Sequence, residues 1–284
     1  MHSPSSITAT TTTTTILLIL GSVVFSTCYS QENGRYNTCL GNFSCGQTNV
    51  RYPFWGNGRP QFCGHPSFEL KCQNNEYPTI EIDNRAFRVL KIDTSSKKTI
   101  TLASSDLWES YCTQELHNIT LDDNWFTYGQ SNRELFLFYN CTSEARTINI
   151  PYNFTCEIGG IERLGLYTND TFFNGTENSQ YTTISCNQSV EVKVLQENVD
   201  KLLEGSLTLQ EGLRRGFEVV YNANKSICGT CQGSGGFCGS DSSEFACHCR
   251  DRTYPATCQS PGMLLLNLLS CLLISGHRLR TIDI

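Results

Sequence analysis

The chain has 284 residues, a formal net charge of −6, 17% charged residues and 16 cysteines. An acidic balance with no basic cluster excludes a general polyanion binder and a nucleic-acid surface. Cysteines in this number belong to an oxidising compartment, where they pair, and exclude an ordinary cytosolic protein.

Residues 1–30 are read as a secretory signal. Ser3 to Thr15 is a Ser/Thr run, Ile16 to Ser26 (ILLILGSVVFS) is apolar, and small residues follow. The segment departs from that pattern in having His2 but no Lys or Arg ahead of the apolar run. Its apolar core is too short to span a bilayer, which takes about 20 residues. Setting aside Cys28 of the signal and Cys271 of the tail leaves an even set: Cys39, Cys45, Cys63, Cys72, Cys112, Cys141, Cys156, Cys186, Cys228, Cys231, Cys238, Cys247, Cys249 and Cys258. All are expected in disulfides, and their order along the chain leaves the pairing open. Eight N-x-S/T sequons, at Asn42, Asn118, Asn140, Asn153, Asn169, Asn174, Asn187 and Asn224, predict a heavily glycosylated extracellular surface.

The region 31–115 begins rich in Gly, Pro and Cys. NVRYPFWGNGRPQFCGHPSFELKC (49–72) holds five aromatics, three Lys or Arg and a single acid. Strands follow. Thr79 to Ile82, Phe87 to Ile92 and Thr99 to Leu102 alternate apolar and polar residues, which predicts an antiparallel meander with one buried face, and SSKK at 95–98 is its polar turn. Leu135 to Tyr139 (LFLFY) is apolar on both faces and is expected in a central position. Ile148 to Thr155 and Val190 to Leu195 add further strands. Asn169 to Ser179 reads as a surface loop. Val199 to Arg215 has room for one or two helical turns, interrupted at Gly205 and Gly212.

The last compact region carries C-x2-C-x6-C-x8-C-x-C-x8-C over Cys228 to Cys258, and its final spacings match the end of an EGF-like module. So small a segment cannot bury enough apolar surface to fold unaided, so crosslinks replace a core. The C-x-C step is expected to send Cys247 and Cys249 to opposite faces of a strand, each toward a different partner. The rival is a zinc site using C-x-x-C, C-x-C and His248, disfavoured because exported thiols oxidise first. GSGGFCG (233–239) is no phosphate loop: no Lys follows, no apolar strand precedes, and cysteines flank it, so its glycines serve tight turns. The fold class is therefore all-β-rich, disulfide-stapled, glycosylated extracellular modules ending in an EGF-like-spaced cysteine cluster. No metal or cofactor is expected.

Three motifs together carry a resemblance: YPFWG, CGHPSFELKC and CGTCQGSGGFCG. CLGNFSCGQTNVRYPFWGNGRPQFCGHPSFELKC, followed by TITLASSDLWESYC, resembles the galacturonan-binding extracellular module of plant wall-associated receptor kinases, nearest to those of the leaf-rust-resistance-locus type. GFEVVYNANKSICGTCQGSGGFCGSDSSEFACHCRDRTYPATC resembles their cysteine-rich C-terminal wall-associated module, with Tyr221 where the family carries Trp. The resemblance implies modules at 31–115 and 116–258 and an atypical apolar tail at 259–284. Met263 to Ile274 is short for a membrane span, with Arg278 and Arg280 behind it, and kinase signatures are absent. The chain is read as a receptor ectodomain truncated before its kinase, secreted or held at the outer face of the plasma membrane.

The resemblance also implies a ligand, acidic pectic galacturonan, with a protein co-receptor as a further partner. Uronate carboxylates pair with Arg or Lys, and sugar C–H faces stack on aromatics. Arg51, Tyr52, Trp55, Arg59 and Lys71 are the candidate contacts. The alternative places YPFW in the core of a small module: Phe54 and Phe68 are assigned there, Tyr52 and Trp55 are left open, and His65 is a local hydrogen-bonding group. A glycosidase would need two carboxylates at a fixed spacing, and the adjacent Asp122 and Asp123 do not supply it. A secreted disulfide-rich protein that binds a protein partner in defence is the remaining alternative.

Overall fold

The computed structural model describes residues 33–112, 117–118, 121, 124–142, 152–169, 185–223 and 225–259. The signal, the tail from 260, the sequons at Asn174 and Asn224, Asp122 and Asp123, and residues 148–151 lie outside the described residues. Among the described residues, no helix is long and apolar enough to cross a membrane. Two compact units form. One is Asn42–Lys225; the described part of the other is 33–41 with 226–259. The boundary expected at 115 therefore falls inside the larger unit.

The larger unit is built from hairpins whose turns are written in the sequence. A small hairpin, β1 (Phe43–Cys45) with β2 (Thr48–Val50), precedes a six-stranded antiparallel sheet. That sheet contains β3 (Leu70–Gln73), β4 (Tyr77–Ile82), β5 (Arg85–Asp93), β6 (Thr99–Ser104), β7 (Phe126–Tyr128) and β12 (Phe217–Tyr221), in the order β3-β4-β5-β6-β12-β7. Asp83 and Asn84, both at positive φ, form the two-residue turn between β4 and β5, a conformation Asp and Asn tolerate and one that matches strand twist. The expected meander is β4–β6. Alternation buries Ile80, Ile82, Phe87, Val89, Ile100 and Leu102, with Phe126 and Phe217 of the same sheet, in one cluster with Phe43, Phe54 and Phe68.

The second sheet of this unit holds β8 (Asn132–Cys141), β9 (Asn153–Ile158), β10 (Ile161–Asn169) and β11 (Cys186–Leu195), in the order β11-β8-β10-β9. Leu135 to Tyr139 is central, as its two apolar faces require: Leu135, Leu137 and Tyr139 are buried against Val190, Val192 and Val194. The helices α2 (Gln196–Leu203) and α3 (Leu209–Arg214) add Val199, Leu202, Leu209 and Leu213 to this core. Gly205, at φ +72, ends α2 as expected. Gly212 does not interrupt; it lies inside α3, where a Cβ would stand 2.8 Å from Leu202 Cδ1, so glycine here permits close helix packing. Asn132 links the two sheets: its Nδ2 donates to the Glu218 carbonyl (2.6 Å) and its Oδ1 accepts from the Glu218 N–H (2.8 Å).

In the smaller unit, helix α4 (Lys225–Gly233) carries the C-x-x-C, and β13 (Phe237–Asp241), β14 (Glu244–His248) and β15 (Thr253–Tyr254) form a three-stranded sheet. Residues three apart share a helix face, so Cys228 and Cys231 both reach the sheet, as Cys228–Cys238 and Cys231–Cys247. Cys249–Cys258 closes the set. Cys247 and Cys249 do take different partners, but they do not point to opposite faces. Their sulfurs lie 3.7 Å apart, because side chains two apart on an extended chain share a face. Gly236 is wedged among these bridges; a Cβ there would come within 2.5 Å of Cys247 Sγ. The short helix α1 (Gly34–Thr38) packs on the same unit through Tyr36 on Phe237 (4.9 Å) and Arg35 on Asp241 (3.3 Å). In the larger unit Cys45–Cys72, Cys112–Cys156 and Cys141–Cys186 are bridged and Cys63 is disulfide-bonded as well; so is Cys39 of the smaller unit.

Candidate functional site

The stretch 49–72 divides between core and surface. Phe54 and Phe68 are fully buried and meet edge to face at 5.7 Å, with Tyr221 against both. Tyr221, where the resembling family carries Trp, thus fills an aromatic place in this core, and burial pushes its phenol up to about 12. Tyr52 is half-buried against the same cluster, its phenol likewise pushed up to about 12 by burial. The Trp55 indole N–H donates to the His65 carbonyl at 2.8 Å, which fixes the half-buried ring. His65 is itself buried: Nδ1 accepts from the Ser67 N–H (3.3 Å), the Trp125 ring lies tilted against it at 4.0 Å, and burial holds the imidazole below its ordinary 6.5.

Arg59 corrects the expectation drawn from the sequence. Its side chain turns inward and only 5% of the residue is exposed. Nε donates to the Phe54 carbonyl (3.2 Å) and a terminal nitrogen to the Cys63 carbonyl (2.7 Å). Burial, with Arg51 nearby, lowers its pKa to about 10. A loop crosslinked at Cys63 leaves backbone carbonyls pointing inward, and a guanidinium has enough donors to satisfy several of them. Arg59 therefore holds the loop together. Arg51 is exposed and donates to Asn42 Oδ1. Lys71 is exposed and paired with Glu81 at 3.0 Å; that hydrogen bond raises its pKa.

A cleft of about 450 Å³ opens beside Lys71, but Glu69, Glu81 and Asp83 line it too. Three carboxylates against one lysine disfavour an anionic ligand there.

The outward face of the six-stranded sheet holds an arrangement that the sequence reading missed. Burial alternates along β4 and β5, so Tyr77, Thr79, Glu81 and Arg88 turn away from the core. The Arg88 guanidinium carbon sits 3.4 Å from the Tyr77 ring centroid and 4.0 Å from that of Trp108. Trp108 follows β6, and α3 holds its segment: Gln210 Nε2 donates to the Leu107 (2.9 Å) and Trp108 (3.1 Å) carbonyls, and Arg214 Nε donates to the Trp108 carbonyl (2.6 Å). The Arg214 guanidinium lies 5.6 Å from the Trp108 ring. The one signal in the sequence was the place of Tyr77 and Arg88 on the polar side of the alternation; Trp108 and α3 are remote in sequence from both.

The cysteines disfavour a metal. Cys247, Cys249 and Cys258 place their sulfurs within 4.8 Å of one another, but each is already in a bridge and offers no thiolate.

Residues 39–104 match the family described as wall-associated receptor kinase galacturonan-binding, and residues 155–252 match wall-associated receptor kinase C-terminal. The curated relatives include three leaf rust 10 disease-resistance locus receptor-like protein kinase-like proteins of Arabidopsis thaliana. Number 2.8 is 30% identical over 78% of this chain and 23% of its own length. Number 1.2 is 32% identical over 73% and 32%. Number 1.4 is 29% identical over 76% and 30%. The chain thus spans between about a quarter and a third of these relatives' lengths. No solved structure matches. The two matched regions interleave, since β12 of the second pairs with β6 of the first. Residues 39–104 belong to the galacturonan-binding family of wall-associated receptor kinases and residues 155–252 to their C-terminal family, which places the chain with the extracellular parts of wall-associated and leaf-rust-10-locus receptor-like kinases.

Proposed function

We propose that this chain is a wall-side sensor module that binds acidic pectic polysaccharide, chiefly de-esterified galacturonan, outside the cell. The observation that carries the reading is the galacturonan-binding family match over 39–104. Recognition is by binding without catalysis: carboxylates on a regular polymer meet exposed cations, and weak contacts at successive sugars add by avidity. Of the cations in the stretch read from the sequence, Arg51 is exposed, whereas Lys71 is exposed but paired with Glu81 beside an acidic cleft; Tyr52 and Trp55 are half-buried. A protein co-receptor is the further partner of this reading.

The test is a titration of the secreted, glycosylated, disulfide-complete chain with de-esterified oligogalacturonides, using neutral oligosaccharides as the control. Saturable binding that weakens with salt, and is lost when galacturonase trims the ligand, is the expected result. No binding by the folded chain overturns the reading and favours a protein partner.

A further inference from the structure

We propose that the outward face of the six-stranded sheet carries a hexuronate-carboxylate subsite centred on the Arg88 guanidinium, an inference that rests on the reading of the chain as an acidic-polysaccharide binder. The guanidinium carbon lies over the Tyr77 ring at 3.4 Å and over the Trp108 ring at 4.0 Å, so two aromatic rings hold the group in place. Among the described residues, no carboxylate or carbonyl accepts from it. A stacked guanidinium keeps its N–H edge, and that edge matches a carboxylate with two parallel hydrogen bonds. An arginine fixed before the ligand arrives loses little rotamer freedom on binding.

Three further observations favour this face. Lys71 is spoken for by Glu81, and Arg59 is buried on backbone carbonyls, so neither offers a comparable free fork. Arg214 donates to the Trp108 carbonyl at 2.6 Å and so helps to fix the segment whose ring lies against Arg88, while its own charge meets Glu109 at 4.0 Å. The third is the placement of sequons. Asn140, Asn153, Asn169 and Asn187 all lie on strands of the four-stranded sheet, whereas no sequon falls on β3–β7 or β12. The Arg88 face is thus left clear of the bulky glycans that the other sheet is set to carry. The acidic cleft beside Lys71 is excluded by its three carboxylates.

The probes are a de-esterified oligogalacturonide and its fully methyl-esterified counterpart, which keeps the sugar and removes the charge. Arg88→Ala is expected to weaken binding of the de-esterified oligomer by at least about tenfold. Arg88→Lys keeps the charge without the fork and remains several-fold weaker than wild type. Binding of the esterified oligomer is weak in all three proteins. Thermal melting establishes that each variant is folded, and if Arg88→Ala fails to fold, Arg88→Lys decides. Folded Arg88 variants that bind the de-esterified oligomer as tightly as wild type overturn the subsite and leave the acidic-polysaccharide reading standing. A wild-type chain that binds neither oligomer overturns both.

Discussion

On the outward face of the six-stranded sheet stand Tyr77, Thr79, Glu81 and Arg88, with Lys71 beside Glu81 and no sequon on any strand. The four-stranded sheet is finished the other way, with sequons at Asn140, Asn153, Asn169 and Asn187 and helices α2 and α3 contributing to its core. The cores differ as well. Rings of Phe43, Phe54, Phe68, Phe87, Phe126 and Phe217 fill the first, whereas Leu and Val predominate in the second. The contrast teaches a division of labour inside one compact unit. Alternation gives each sheet a second face, and sequons fall on the strands of one sheet and on none of the other's. The family-model boundaries do not follow this division, because β12 crosses from the C-terminal region into the first sheet.

The sharpest way to break the comparison is to empty the aromatic core. Phe68→Ala is expected to destabilise the chain by about 3–5 kcal/mol, since Phe54, Phe126 and Tyr221 lose a shared neighbour; urea unfolding measures it. Asn132→Ala removes the side chain that joins the sheets and strands the Glu218 N–H, while the Glu218 carbonyl keeps the Gly129 N–H, at a cost of about 1–3 kcal/mol in the same assay. If the unfolding transition also broadens, the two sheets were cooperating through this residue.

Thr99→Asn completes a sequon with Thr101 on the bare face. A glycan there should weaken oligogalacturonide binding by about tenfold or more, roughly 1.4 kcal/mol, while Asn→Gln changes at Asn140, Asn153 and Asn187 leave binding unchanged. Equal losses from both sets would erase the distinction between the faces.

A pH test separates the sheets without altering the surface. Burial depresses the His65 pKa, so the folded chain favours neutral imidazole. The stability it contributes is complete above the ordinary value of 6.5 and is lost as pH falls from there toward the folded value. Melting temperature measured from pH 8 to 5 should therefore decline less steeply in His65→Asn than in wild type. The smallest effect belongs to Lys71→Ala. Its ion pair with Glu81 is exposed, so the melting temperature should not move; a clear drop would show that the pair is structural.

Part of this architecture was legible in local signals. Alternation located β4, β5, β6 and β11, and the doubly apolar LFLFY announced a central strand. Others were present but went unread. Gly159 and Gly160, both at positive φ, form the two-residue turn that introduces β10, and two glycines in such a place favour a hairpin. The helix carrying Cys228 and Cys231 was not foreseen, because two closely spaced glycines and a C-x-x-C read locally as a turn.

By itself, then, the sequence determined the crosslinked, β-rich character of the chain and its family, because cysteine count, alternation and spaced motifs are local properties. Only the tertiary structure decided which cations were available. Arg51, Arg59 and Lys71 look alike in sequence, yet one is exposed beside Asn42, one is buried on carbonyls, and one is paired across strands. The setting of Arg88 arises only in the fold, where β4 and the segment after β6 bring Tyr77 and Trp108 to it. Desolvation, stacking and pairing depend on neighbours in space: hairpin register brought Glu81 to Lys71 and Tyr77 to Arg88, and α3, about a hundred residues further on, holds the Trp108 segment.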